Sequence, residues 1–289
     1  MASSATFTVR SIIRAYPTQV AVTWLMVAVE NILMVLLPLL IGFSIDGLLN
    51  QETQDFMVLA VVLLLLVVVS VVRRFYDTRA YGTMRVDIGR QVAHGLQHSP
   101  VTRRNARLTL SRELVDFLEH ELPPLFTAII QLIASMVILA GFHPMLALHA
   151  GAAALAMLLT YACFHNHFIR LNTMLNNQLE RQVKLLSLAP AISIRSHLQK
   201  LKRREIHLSD TEALTYGLIF LILFGFVLAN LWQITHTTGP SAGELFTIVS
   251  YSLEFVEAAI LLPTTLQTLS RLSEISQRLT PHHMPGVES

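Results

Sequence analysis

Three carboxylates interrupt stretches of this sequence that are otherwise apolar. Glu30 lies near the middle of the run Thr18 to Ile45, and Glu254 and Glu257 lie near the middle of the run Leu245 to Thr268. At i,i+3 spacing, Glu254 and Glu257 share one face of a helix. A charged side chain at the centre of a bilayer costs about 2.5 to 3.5 kcal/mol even on lenient scales, so carboxylates in such places usually mark an ion or substrate path. The plainer alternative is that they hydrogen-bond neighbouring helices. Histidines are also numerous, and His143 with His149, His165 with His167, and the pair His282-His283 fall close together. A metal site needs three or four convergent donors, and residues two apart on a helix point in different directions. No metal site is expected from these patterns. The single cysteine, Cys163, excludes an internal disulfide.

The elements that carry these groups are set by hydrophobicity. Hydrophobic residues make up 53% of the chain and charged residues only 14%, against about 25% charged in soluble domains. Lipid is therefore the expected solvent. Six apolar runs follow one another: Thr18 to Ile45, Phe56 to Val72, Leu122 to Phe142, Met145 to Phe168, Leu214 to Ile234 and Leu245 to Thr268. Each is near or above the roughly 17 to 25 residues that span the hydrocarbon core as a helix. Helices are required because lipid offers no partner to bare backbone groups. The first run is too long for a cleavable signal, whose apolar region covers about 7 to 15 residues.

Basic residues orient the runs. Arg10 and Arg14 precede the first run, nine arginines lie between Arg73 and Arg112, eight Lys or Arg lie between Arg170 and Arg204, and Arg271 and Arg278 follow the last. The short links around Asp46 to Asp55, Phe142 to Pro144 and Thr235 to Glu244 carry none of the 21. Positive charge is retained on the cytoplasmic side. Six crossings of the cell inner (plasma) membrane with both termini cytoplasmic are expected, and anionic headgroups account for the basicity without any nucleic acid.

Ahead of the first run, Phe7, Ile12 and Ile13 with Arg10 and Arg14 suit an interfacial helix, which Pro17 would end. The two polar segments, each nearly fifty residues, are not loop-like. Arg73 to Gln97 lacks proline and repeats Val86, Gly89, Val92, Ala93 and Leu96 at helical spacing. Ser99-Pro100 breaks that pattern, and it resumes after Ser111, read as an N-cap. Ile169 to Leu188, an interruption at Ala189-Pro190, and Ile194 to Ala213 repeat the plan. Two helical hairpins projecting roughly 30 to 37 Å follow from 1.5 Å per residue.

Leu37-Pro38-Leu39-Leu40-Ile41-Gly42 before Ile45-Asp46-Gly47, Arg85-Val86-Asp87-Ile88-Gly89-Arg90 running to His98-Ser99-Pro100, Ser111-Arg112 to Asp116, Tyr251 to Glu257, and Leu269-Ser270-Arg271-Leu272 occur in this order. With the long helical extensions, they resemble the transmembrane domain of exporter-type ABC transporters, from about Phe7 to Leu279. The resemblance implies an all-α polytopic fold of six transmembrane helices with long cytoplasmic extensions, divided into an arm (1–17), a six-helix membrane domain (18–280) and a disordered tail (281–289). It also implies a homodimer whose first and sixth spans line a central cavity, so that Glu30, Glu254 and Glu257 face a common space. The hairpin tips of that family couple to an ATPase, which makes Pro100, Arg103, Arg104, Pro190 and Ser193 the coupling candidates.

A phosphate-cradling loop needs a glycine directly before its lysine. Lys184, Lys200 and Lys202 follow Val183, Gln199 and Leu201, and no Gly-Gly pair exists. No ATPase activity or cofactor is expected from these residues, and ATP would enter only through a partner. Three roles follow: a permease for a small-molecule or peptide substrate, energised by a separately encoded ATPase subunit; a carrier driven by a proton gradient; or a membrane receptor or scaffold that does not transport.

Overall fold

The computed structural model describes residues 9–95, 97, 100–188, 191–237 and 239–279, except the side chains of 9, 10, 103, 181–188, 191–193, 237 and 262–279. Apart from short links the described residues are helical, in the order α1 (Val9–Ala15), α2 (Pro17–Leu49), α3 (Gln54–Gly95), α4 (Val101–Asp116), a π-helical turn (Phe117–Glu121), α5 (Leu122–Phe142), α6 (Pro144–Leu188), α7 (Ala191–Thr237) and α8 (Ala242–Leu279). Among them, five stretches are long and apolar enough to cross a membrane: Pro17–Leu49, Gln54–Gly95, Arg104–Phe142, Pro144–Glu180 and Ile194–His236. Five of the six apolar runs sit inside longer helices, because the polar residues beside them do not break the backbone pattern, and Leu122 to Phe142 coincides with α5. The chain divides into two compact units, Met1–Leu139 with Gly239–Ser289, and Ala140–Thr238.

In the first unit, α2 and α3 pack antiparallel over most of their length. Ser44 donates to the Asp55 carbonyl at 3.1 Å, Ser70 to Glu30 at 2.5 Å and Thr23 to Asp77 at 2.8 Å. Past the apolar half of α3, a core like that of a soluble protein forms from Ile12, Val20, Tyr81, Met84, Ile88, Val92, Leu114, Val115 and Leu118. Ile12 is thus turned into protein, whereas its neighbour Ile13 is exposed. Ile12 and Ile13 therefore do not share a lipid-facing side. Tyr16, the residue between α1 and α2, donates to Asp87 at 3.2 Å. Burial first, then the Asp87 carboxylate, pushes its phenol above the ordinary value.

The start of α4 departs from expectation. Pro100 is the N-cap and Val101 the first residue, so the helix begins ten residues before Ser111. Ser111 lies inside it, and its hydroxyl donates to the Leu108 carbonyl at 2.8 Å. Proline imposes a φ near −65°, already suited to the start of a helix. A serine can return its hydroxyl to a carbonyl of the preceding turn as readily as it can cap.

The contact between α2 and α8 is built from glycine and polar groups. Gly42 and Gly243 face each other so closely that a Cβ on Gly42 would lie 2.7 Å from the Gly243 oxygen. Asp46 accepts from the Ser241 hydroxyl at 2.5 Å and from the Gly243 N–H at 2.8 Å. A carboxylate here satisfies an orphan donor and favours the helix dipole. Ser241 and Glu244 form a capping box: Glu244 N–H donates to the Ser241 hydroxyl and Ser241 N–H to the Glu244 carboxylate. One and two turns along, Thr247 donates to the Pro38 carbonyl at 3.2 Å and Tyr251 to the Val35 carbonyl at 2.6 Å. Pro38, inside α2, cannot donate to the carbonyl four residues back, and these two side chains brace the weakened turn.

The second unit is an antiparallel pair. His149 Nδ1 lies 3.0 Å from Asn230 Oδ1, and Gln178 Nε2 lies 2.8 Å from His197 Nδ1. Arg204 donates to the Met174 carbonyl. These three links, spread along both helices, keep α6 and α7 in one register from end to end. Leu146, Ala150, Ala153 and Met157 form a buried stripe on α6, and Ile219, Leu223 and Phe226 one on α7.

Candidate functional site

The α2–α8 pairs Gly42/Gly243, Pro38/Thr247 and Val35/Tyr251 set an antiparallel register, so the next turns of α8 come level with the part of α2 that carries Glu30. A cavity of about 450 Å³ opens there, walled by α2, α3, the π-helical turn, α5 and α8. Glu30 and Glu257 both line it, whereas Glu254, one turn away, is not on its wall. Glu257 is exposed. One oxygen of Glu254, Oε2, is buried without a hydrogen-bond partner.

Glu30 has a counter-ion that sequence reasoning missed. Arg73 Nε lies 2.5 Å from Glu30 Oε2, and Arg73 NH1 lies 3.6 Å from Asp77. The Nε contact is ionic rather than a well-aligned hydrogen bond. Glu30 also accepts from Ser70, and Asp77 from Thr23. A buried carboxylate requires such partners because its desolvation costs several kcal/mol. The i,i+4 spacing of Arg73 and Asp77 was a visible signal. Nothing local, however, points from Glu30 to a side chain on another helix.

The π-helical turn contributes Glu119 and His120 to the cavity wall. Pro123 and Pro124 have no N–H to give to the carbonyls four residues back, and just before them the helix widens so that the Leu122 N–H reaches the Phe117 carbonyl. Such turns often occur at functional sites. Here the turn carries Glu119, whose side chain is only 5% exposed and is held by Arg85. Arg85 Nε also donates to Asp116 at 2.7 Å. Glu30, Arg73, Asp77, Glu119, Arg85 and Asp116 thus form a set of charges running from the apolar half of α2 to α4.

The coupling candidates lie elsewhere in the chain. Pro100 caps α4; Arg103 and Arg104 fall in its first turns, Arg104 being half-buried. Ser193 lies in the first turn of α7, and Pro190 lies outside the described residues. Neither Pro100 nor Arg104 is on the cavity wall. Among the described residues no three His, Cys, Asp or Glu side chains converge as metal ligands.

The sequence profile of a family described as ABC transporter transmembrane region matches residues 9–243. That interval covers α1 to α7 and reaches the first turn of α8. No curated protein matches the chain.

Proposed function

Since the chain belongs to the ABC transporter transmembrane-region family, we propose that it is the membrane-embedded part of a transporter whose path includes the cavity between Glu30 and Glu257. On this proposal α8 is the sixth span, both termini and both hairpin tips are cytoplasmic in the inner (plasma) membrane, and two copies alternate access to a site near the midplane. The energy comes from an ATPase outside these 289 residues, docked around Pro100 to Arg104 and Pro190 to Ser193. ATP is bound only there.

One observation carries this reading. α3 runs unbroken from Gln54 to Gly95, so the helix that places Arg73 on the cavity wall also reaches a hairpin tip. The 22 residues from Arg73 to Gly95 amount to about 33 Å at 1.5 Å per residue. A push at the tip is therefore a displacement of Arg73 against Glu30. Purification from membranes with associated proteins tests it: a stoichiometric ATPase is expected, and Arg103→Glu with Arg104→Glu should abolish its recruitment without changing insertion. Loss of insertion, or recruitment indifferent to both reversals, refutes the docking site.

A carrier driven by a proton gradient is the second reading, favoured by Glu254 Oε2, which is buried without a partner. Proton-dependent uptake into liposomes in the absence of any ATPase would establish it. Unchanged pH dependence in Glu30→Gln would remove Glu30 from coupling.

A further inference from the structure

The charges on the cavity wall are unequally compensated. Arg73 lies against both Glu30 and Asp77, and Glu119 is held by Arg85. Glu257 reaches the same wall and makes no ion pair among the described residues. On the adjacent turn and the same face of α8, Glu254 Oε2 is buried with no donor to it. Two carboxylates on neighbouring turns therefore lack the counter-charge that Glu30, Asp77 and Glu119 have found within the chain. The space itself, about 450 Å³, falls in the range of roughly 300 to 1,000 Å³ typical of small-molecule sites. It holds far more than one water, whose share of liquid volume is about 30 Å³. Val27, Met34, Pro123 and Leu261 supply apolar wall.

We propose that this cavity selects an amphipathic organic cation, its ammonium group seated on Glu257 and its apolar body against Met34 and Leu261. The proposal rests on the transport reading above and names the substrate class of that site. An N–H donor, rather than a quaternary cation, matches the Glu257 carboxylate, whose two oxygens can only accept when ionised. Apolar wall beside the charge excludes water and strengthens the ionic contact. Arg74 also reaches the wall, which makes a zwitterion the competing class; four carboxylates on that wall, Glu30, Asp77, Glu119 and Glu257, against two guanidiniums, Arg73 and Arg74, favour the simple cation.

The test is equilibrium binding to the full chain in nanodiscs of zwitterionic lipid, with empty discs subtracted. Four probes share one ring: 2-(1-naphthyl)ethylamine, its N-acetyl derivative, 1-naphthylacetate and 1-naphthylalanine. The amine should bind tightest, about tenfold or more above the acetamide, the scale of one charge-assisted hydrogen bond. Glu257→Gln should erase that advantage, Glu257→Asp should keep most of it, and Arg74→Gln should not weaken amine binding. Tighter binding of the acid or the zwitterion, equal binding of amine and acetamide, no saturable binding of any probe, or an advantage that survives Glu257→Gln would overturn the proposal. Amine binding in the expected pattern without flux, in liposomes that hold the chain with its copurified ATPase and ATP or that carry a proton gradient, would sink the transport reading and leave this one standing. Flux of a neutral or anionic solute indifferent to Glu257→Gln would do the reverse.

Discussion

Replacing Gly243 with alanine should loosen α8 from α2. A Cβ at that position would sit 2.5 Å from Asp46 Oδ2 and closer still to the Gly42 carbonyl oxygen. Carbon–oxygen contacts of that length are far inside van der Waals distance, and a backbone carbonyl cannot rotate away, so the helices must separate by about an ångström. Overpacking of this kind costs about 1 to 3 kcal/mol. The separation also stretches the bonds from Gly243 to Asp46, Thr247 to Pro38 and Tyr251 to Val35, each worth about 0.5 to 1.5 kcal/mol. Part of that loss is recovered by relaxation, so the expected cost is about 2 to 4 kcal/mol. Gly225→Ala is the internal control. No atom lies within 4 Å of its added carbon, and it should be neutral or stabilising by up to about 1 kcal/mol, the difference in helix propensity. The measurement is equilibrium unfolding in mixed micelles with rising SDS fraction, followed by far-UV circular dichroism. A change within about 0.5 kcal/mol of wild type for Gly243→Ala would refute the close approach as a source of stability.

Three further outcomes are expected. Arg73→Met should destabilise by about 2 to 3 kcal/mol by leaving Glu30 and Asp77 without their cation, and Arg73→Met combined with Glu30→Met should recover much of it; a double-mutant cycle with no coupling would dismiss the pair. Asp46→Ala should cost about 1 to 2 kcal/mol, and Asp46→Asn about half as much because an amide oxygen still accepts but carries no charge, both read in the same unfolding assay. The Tyr16 phenol is raised by burial and by Asp87, so its contribution to stability is complete below the unfolded tyrosine value near 10 and is lost as pH rises through the higher folded value. Thermal unfolding should therefore show wild type losing its margin over Tyr16→Phe at alkaline pH; parallel profiles would exclude Tyr16 from the linkage.

Element type was legible because it depends on short-range pattern. α3 and α6 continue through their polar halves as the spacing of Val86, Gly89 and Val92 and the absence of proline require, and helix ends fall next to Pro17, Pro100 and Pro144. The misses were local alternatives of similar energy. Ser111 returns its hydroxyl to a carbonyl inside a helix instead of capping one. Ile12 faces protein where an amphipathic arm alone suggests lipid. For Ile12 a core distant in sequence decided between two acceptable conformations, whereas for Ser111 the choice was local, because the helix had already begun after Pro100.

The candidate site divides in the same way. Three carboxylates within apolar runs, a lysine set with no preceding glycine, and the partition of 21 cations were all present in the order of residues, because hydropathy and charge belong to each residue alone. Which carboxylate is compensated depends on what faces it. Glu30 meets Ser70 and Arg73 from α3, Glu119 is aimed at Arg85 by a π-helical turn, and Glu257 meets no cation among the described residues. The Glu30 pairing is set by the antiparallel register of α2 with α3, the Glu119 pairing by the approach of the π-helical turn to α3, and the place of Glu257 by the register of α2 with α8. The α2–α8 register follows from the Gly42–Gly243 contact and the Asp46 bonds, which join residues about two hundred positions apart, and the α2–α3 register is held by Ser44 on Asp55 and Thr23 on Asp77. Coulomb energy depends on distance in space, which the order of residues does not record until the helices have packed.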